Sequence, residues 1–200
     1  MKSLYSLKPW FSKILRPVLN LSLRLNLSPD LFTALNIAFG VLAGFAVSWV
    51  NAPAVFIFLA LRLACANLDG ALARAKALLK GEQPSRLGFT KNEIGDRLAD
   101  FATLSGLVFL VAGSKALTVV LAVFVAATPT VISLIGVTKG LARINGGPLG
   151  KTERALLVFL IVLLGQLTNN VEFYVYYGSI VIIIGSLLTA WIRYLKIIKA

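Results

Sequence analysis

The chain has 200 residues, of which 58% are apolar and only 14% charged, too few polar residues to cover an ordinary soluble domain. Its 20 Lys and Arg against 8 Asp and Glu give a net charge of +12, and it contains no histidine, which excludes His-based triads, His-ligated haem and His-dependent proton relays. Cys65 is the single cysteine, so an intrachain disulfide and paired-thiolate zinc or redox motifs are excluded as well.

Residues 4–25 interleave Lys8, Lys13, Arg16 and Arg24 with Trp10, Phe11, Ile14 and Leu15. That pattern predicts an amphipathic helix in the membrane interface, broken by Pro9 and Pro17; an untidy start to the first span is the alternative. No cleavable signal peptide is expected, because no short apolar run with a small-residue cleavage site follows the basic N-terminus. Ser28-Pro29-Asp30 is a helix start. Apolar stretches able to cross a bilayer of about 30 Å are placed at Leu31–Val50, Pro53–Lys76, Glu93–Gly113, Ala116–Lys139, Thr152–Leu167 and Phe173–Ile192. Gly40 and Gly44 form a GxxxG pair suited to close helix approach, within the bundle or between copies. Pro129 should kink the fourth span.

The basic residues cluster before the first span, after the second and fourth, and at the C-terminus, whereas the first, third and fifth connections hold only Lys115. This positive-inside asymmetry predicts six spans with both termini in the cytoplasm. The charge is assigned to the membrane surface, and no nucleic-acid partner is expected. The predicted fold is an all-α integral membrane protein, a six-transmembrane-helix bundle over 28–200 preceded by an interfacial segment over 1–27, in one domain.

Three carboxylates lie within or at the edge of apolar helices, where an unpaired charge is expensive. Asp69 falls about 16 residues into a helix entered near Pro53, roughly 24 Å along it, and Asp96 and Asp100 lie one turn apart on one face of the next. Two readings stand: a hard, oxygen-preferring cation such as Mg²⁺ bridging carboxylates and substrate phosphates, or ion pairing with Arg62, Arg74 or Arg97. Gly70 and Ala73 clear space beside Asp69, and Arg74 adds a fixed guanidinium suited to phosphate, so this stretch can cradle a diphosphate; helix packing is the plain alternative for the small residues.

Asp69-Gly70-Ala71-Leu72-Ala73-Arg74 followed by Asp96-Arg97-Leu98-Ala99-Asp100 resembles the signature of the CDP-alcohol phosphatidyltransferase family, Asp-x-x-Asp-Gly-x-x-Ala-Arg, a spacer, then Gly-x-x-x-Asp-x-x-x-Asp. Six of the eight signature positions match. The first aspartate falls on Ala66 and the glycine on Asn92, and the spacer is longer than usual; Asn92-Glu93-Ile94-Gly95-Asp96 resembles a variant in a bacterial branch of the family.

The resemblance implies an enzyme that transfers a phosphatidyl or substituted phosphate group from a CDP-linked donor, such as CDP-diacylglycerol, to an alcohol, with release of CMP, in phospholipid biosynthesis. It implies Mg²⁺ or Mn²⁺ held by Asp69, Asp96 and Asp100, with Glu93 a replacement for the lost aspartate or merely a helix-start charge. It makes Asp100 the general base, with Asp69, Gly70, Ala73 and Arg74 around the cytidine diphosphate. Gly147 to Arg154 also resembles the family, so Arg143, Lys151 and Arg154 are expected at a phosphorylated acceptor or, in the plain reading, as interface anchors. A P-loop is excluded because its first glycine would fall on Asn145. The expected setting is the bacterial inner membrane, with the site facing the cytoplasm and two copies forming a homodimer. The competing readings are an inactive relative that binds nucleotide or lipid, suggested by Ala66 and Asn92, and a small transporter. A transporter would need polar groups beyond Asp100, where the third span offers only Thr103 and Ser105.

Overall fold

The computed structural model describes residues 8–83 and 85–199, and the described elements are all helical. The start of the expected interfacial segment, residues 1–7, lies outside them. In chain order the helices are α1 (Lys8–Ile14), α2 (Arg16–Arg24), α3 (Pro29–Ser48), α4 (Ala52–Lys80), α5 (Arg86–Ser105), α6 (Gly113–Val125), α7 (Thr128–Thr138), α8 (Lys151–Thr168) and α9 (Val171–Ile198), with a 3-10 turn at Gly106–Leu110 after α5.

Local chemistry sets most of these boundaries. The backbone N–H of Asp30 donates to Ser28 Oγ at 3.2 Å, and Pro29 takes the first helical position, where no N–H is needed. α4 starts with Asn51 Oδ1 accepting from Ala54 N at 3.0 Å and ends at Gly81, whose φ of +68° suits a left-handed cap. Pro17 opens α2, separated from α1 at Leu15. Pro129 stands in the first turn of α7, just past the break from α6, so the expected kink is an interruption at Ala126–Ala127.

Among the described residues, four helical stretches are long and apolar enough to cross a membrane: Pro29–Ser48, Ala52–Lys80, the α6–α7 pair over Gly113–Thr138, and Val171–Ile198. α5 differs from its prediction: it begins at Arg86, seven residues before the expected Glu93. It carries Arg86, Lys91, Glu93, Asp96, Arg97 and Asp100, and α8 opens on Lys151, Glu153 and Arg154, so neither has the composition of a simple span.

α3 and α5 pack along a seam of small residues. A Cβ on Gly40 would stand 2.7 Å from Ala99 Cα, and one on Gly44 would stand 2.3 Å from the Ala102 carbonyl oxygen. The GxxxG pair is therefore used inside the bundle. Thr103 Oγ1 donates to the Gly40 carbonyl at 3.2 Å, pinning the register of the seam. A large apolar core includes Val55 and Leu59 of α4 with Val158, Val162, Val175 and Ile182, while a second cluster joins Cys65, Leu68 and Leu72 to Phe32 beneath Leu19 and Leu23 of α2. Between them on α4 lies Arg62, where a charged layer begins.

Candidate functional site

The charged layer is assembled by α3, α4, α5 and the start of α8. α3 contributes two donors one turn apart. Thr33 Oγ1 donates to Asp69 Oδ2 at 3.3 Å, and Asn36 Nδ2 donates to Asp96 Oδ1 at 2.9 Å. The Gly70 N–H also donates to Asp69, and the Lys151 ammonium pairs with Asp96 Oδ1. Asp69 and Asp96 are 2% and 6% exposed, yet both line one cavity of about 1700 Å³.

Asp100 has a different environment. Arg62 from α4 pairs with its Oδ1, Arg154 Nη2 from α8 with Oδ2 at 3.0 Å, and Arg97 Nη1 with Oδ2 at 3.3 Å. Arg62 and Arg154 are almost fully buried. Arg97 also donates to Thr130 Oγ1 at 2.8 Å. Glu93 is buried and pairs with Arg143 through Oε1, while its Oε2 has no hydrogen-bond partner.

Of the residues expected at the site, Asp69, Gly70, Ala73, Arg74, Asp96, Arg143, Lys151 and Arg154 all line the cavity, whereas Asp100 and Glu93 are not among its lining residues. A Cβ on Gly70 would meet Arg74 Nη1 at 3.2 Å, so the missing side chain makes room for the guanidinium. Ala66 lines the cavity too, and Asn67 spends its amide on the Leu63 carbonyl at 2.8 Å. An apolar wall of Phe56, Leu59, Leu63 and Phe159 extends the cavity along α4 and α8.

Arg193 of α9 joins the site although its place in the sequence suggests only a closing positive charge. It donates to the carbonyls of Gly146 and Pro129, at 3.0 and 2.8 Å, and to Ser133 Oγ at 3.0 Å. Leu149 N donates to Thr189 Oγ1 at 2.9 Å. Gly147 has φ of +119°, and a Cβ there would stand 2.4 Å from Thr189 Cγ2. Residues 140–150 are thereby tied to α9, which holds Arg143 and Lys151 at the cavity. Thr33, Asn36 and Arg193 were not singled out by sequence, though a polar Asn36 inside an apolar span was a visible signal.

The oxygen donors fit a divalent ion at one place and not at another. Among the described residues no three acids converge on a common point. Asp69 and Asp96 supply two carboxylates facing the cavity, and a hard cation such as Mg²⁺ commonly takes one or two carboxylates plus substrate phosphates. Asp100 does not fit. Arg62 engages its Oδ1 and Arg154 and Arg97 its Oδ2, and three guanidinium charges around one carboxylate would repel a further cation.

The family model for CDP-alcohol phosphatidyltransferase matches residues 26–191, and the chain belongs to that family. It is 31% identical over 159 residues to the inner membrane protein YnbA of Escherichia coli, covering 78% of this chain and 76% of that one. It is also 31% identical over 201 positions to an uncharacterized protein of Aquifex aeolicus, covering 97% and 94%. Among solved structures it resembles the phosphatidylinositol phosphate synthase PgsA1 of Mycobacterium tuberculosis. With CDP-DAG bound, that enzyme matches with a TM-score of 0.69 at 20% identity, over 92% of this chain and 94% of the other. Its complex with manganese and citrate matches with a TM-score of 0.67 at 20% identity, over 90% and 87%.

Proposed function

We propose that this membrane enzyme transfers a substituted phosphate group from a CDP-linked lipid of the CDP-diacylglycerol class to a small alcohol. The observation that carries the reading is one cavity lined together by Asp69, Asp96, Gly70, Ala73 and Arg74 in the family's signature positions, with an apolar wall leading away from them. In the reaction the acceptor hydroxyl oxygen bonds to the β-phosphorus. The bond from that phosphorus to the bridging oxygen breaks, and CMP leaves with the electron pair while the hydroxyl proton is released.

Asp69 and Asp96 would hold Mg²⁺ or Mn²⁺. When bound, the ion neutralises diphosphate charge and stabilises the departing CMP. Gly70 and Ala73 let the nucleotide approach the α4 backbone, and Arg74 pairs with a phosphate oxygen. Arg143, Lys151 and Arg154 form the cationic side of the cavity, suited to an acceptor that carries its own phosphate. Asp100, the base implied by the family resemblance, is ion-paired with Arg62, Arg154 and Arg97, so both its oxygens are engaged and neither is free to take a proton from an acceptor hydroxyl.

We further propose one domain with six spans, α5 and α8 crossing beside the four apolar stretches, and both termini and the cavity on the cytoplasmic side of a bacterial inner membrane. The positive-inside asymmetry supports this topology. Trp10, Ile14, Val18, Leu21 and Leu25 are exposed at helical spacing along α1 and α2, the stripe an interfacial helix would lay on lipid.

The test uses purified full-length protein with CDP-diacylglycerol and a panel of alcohols and phosphorylated alcohols, following CMP release. Divalent-dependent turnover that is lost in Asp69→Asn and Asp96→Asn is expected. CDP-lipid binding without CMP release for any acceptor would refute transfer and favour the inactive-relative reading, to which Ala66 and the ion-paired Asp100 point.

A further inference from the structure

We infer that Arg62 is the resident cation of this site: its guanidinium, seated on Asp100, occupies that carboxylate permanently and leaves a single divalent ion to Asp69 and Asp96. The inference deepens the proposed function and rests on it in one respect, that Asp69 and Asp96 bind a divalent ion.

The geometry is that of two facing ladders. Along α4, Arg62, Ala66 and Asp69 follow one another at spacings of four and three residues, one stripe of the helix. Along α5, Asp96 and Asp100 form the matching stripe. One crosslink joins the ladders at one end, where Arg62 pairs with Asp100; at the other, Asp69 and Asp96 both line the cavity and are both held from α3. Ala66 is the rung between, and it brings no acid.

An acid at position 66 would stand one turn from Arg62 and one turn from Asp69, giving a further ion a ligand set with Asp100. In its absence Asp100 still needs a countercharge, because it is only 8% exposed. Arg62 supplies one that belongs to the chain and cannot be removed by a chelator. Arg97 and Arg154 add positive charge beyond what Asp100 neutralises, and both line the cavity. Asp100 is thus a positioning residue that aims two guanidiniums at bound anions.

The experiment counts bound Mn²⁺ in the purified, detergent-solubilised full chain, with Mn²⁺ alone and with CDP-diacylglycerol added, from the loss of the free Mn²⁺ paramagnetic resonance signal. One ion per chain is expected, retained in Asp100→Asn and Arg62→Lys and lost in Asp96→Asn. The double change Arg62→Ala with Ala66→Asp should bind a second ion. Two ions in the unmodified chain, or loss of binding in Asp100→Asn, would overturn the role of Arg62 while leaving the metal reading intact. No bound ion in the unmodified chain would overturn both. A folded double variant that still binds one ion would show that Arg62 does not stand in an ion's place. If that variant does not fold, the count in the unmodified chain decides.

Discussion

Placing a methyl group on Gly44 tests whether the α3–α5 seam sets the site. The new Cβ would stand 2.3 Å from the Ala102 carbonyl oxygen and 3.1 Å from its carbon, both rigid backbone atoms. Ordinary contact begins near 3.5 Å, so the helices must part by about 1 Å. Overpacking of this kind costs about 1–3 kcal/mol, which for a chain of this size lowers the melting temperature by roughly 3–10 °C. The same displacement draws Asp96 away from Asn36, whose bond is 2.9 Å. Gly44→Ala should therefore lose both stability and transferase activity. Gly88→Ala is the counterpart, since its Cβ would meet only Ser85 Cβ at 3.7 Å. It should stabilise α5 by about 0.5–1 kcal/mol and leave turnover alone. Thermal unfolding in detergent, read beside CMP release, checks both. A Gly44→Ala protein that melts and turns over like the parent would refute the seam as the element that places Asp96.

Topology is checked by labelling: Lys80→Cys and Lys199→Cys, each in a Cys65→Ala background, should react only from the cytoplasmic side, and periplasmic reaction of either contradicts six spans with cytoplasmic termini. Arg193→Ala removes the donor shared by Gly146, Pro129 and Ser133, a loss of about 1–3 kcal/mol. Cleavage by added protease within 140–150 should accelerate by roughly fivefold or more, and an unchanged rate would show that the segment is held by other contacts.

What could be read from the chain was what depends on neighbours in sequence. Ser28-Pro29-Asp30 marks the start of α3, and the Asp69–Arg74 and Asp96–Asp100 runs carry the family resemblance. The start of α5 was misplaced because Arg86 and Lys91 look like connection residues, whereas Ser85 accepts from Gly88 N at 3.4 Å and opens a helix there. Ion pairing with Arg62 and Arg97 is one of the two readings the sequence offers for the acids, and both pair with Asp100, but spacing does not assign them to it. Spacing along α4 puts Arg62 about 10 Å from Asp69, a correct statement that says nothing about the helix across from it. Which face of α5 meets Arg62 is decided by Gly40 packing on Ala99 and Gly44 on Ala102, a tertiary matter. Arg193 stayed hidden likewise, since its acceptors lie between 47 and 64 residues away.

The pairing of Arg62 with Asp100 also bears on how the chain is made. Arg62 lies ten residues into α4, about 15 Å from its start, in the middle of an apolar stretch where an arginine opposes insertion by about 2.5–3.5 kcal/mol. Its carboxylate partner is 38 residues further along. At about 5–20 residues per second, that partner follows some two to eight seconds behind. Arg154, which completes the cluster, comes another 54 residues later. α4 therefore has an uncompensated charge during synthesis and reaches its lowest energy only once α5 and α8 have packed against it, so the charged cluster stabilises these three helices together and not one by one.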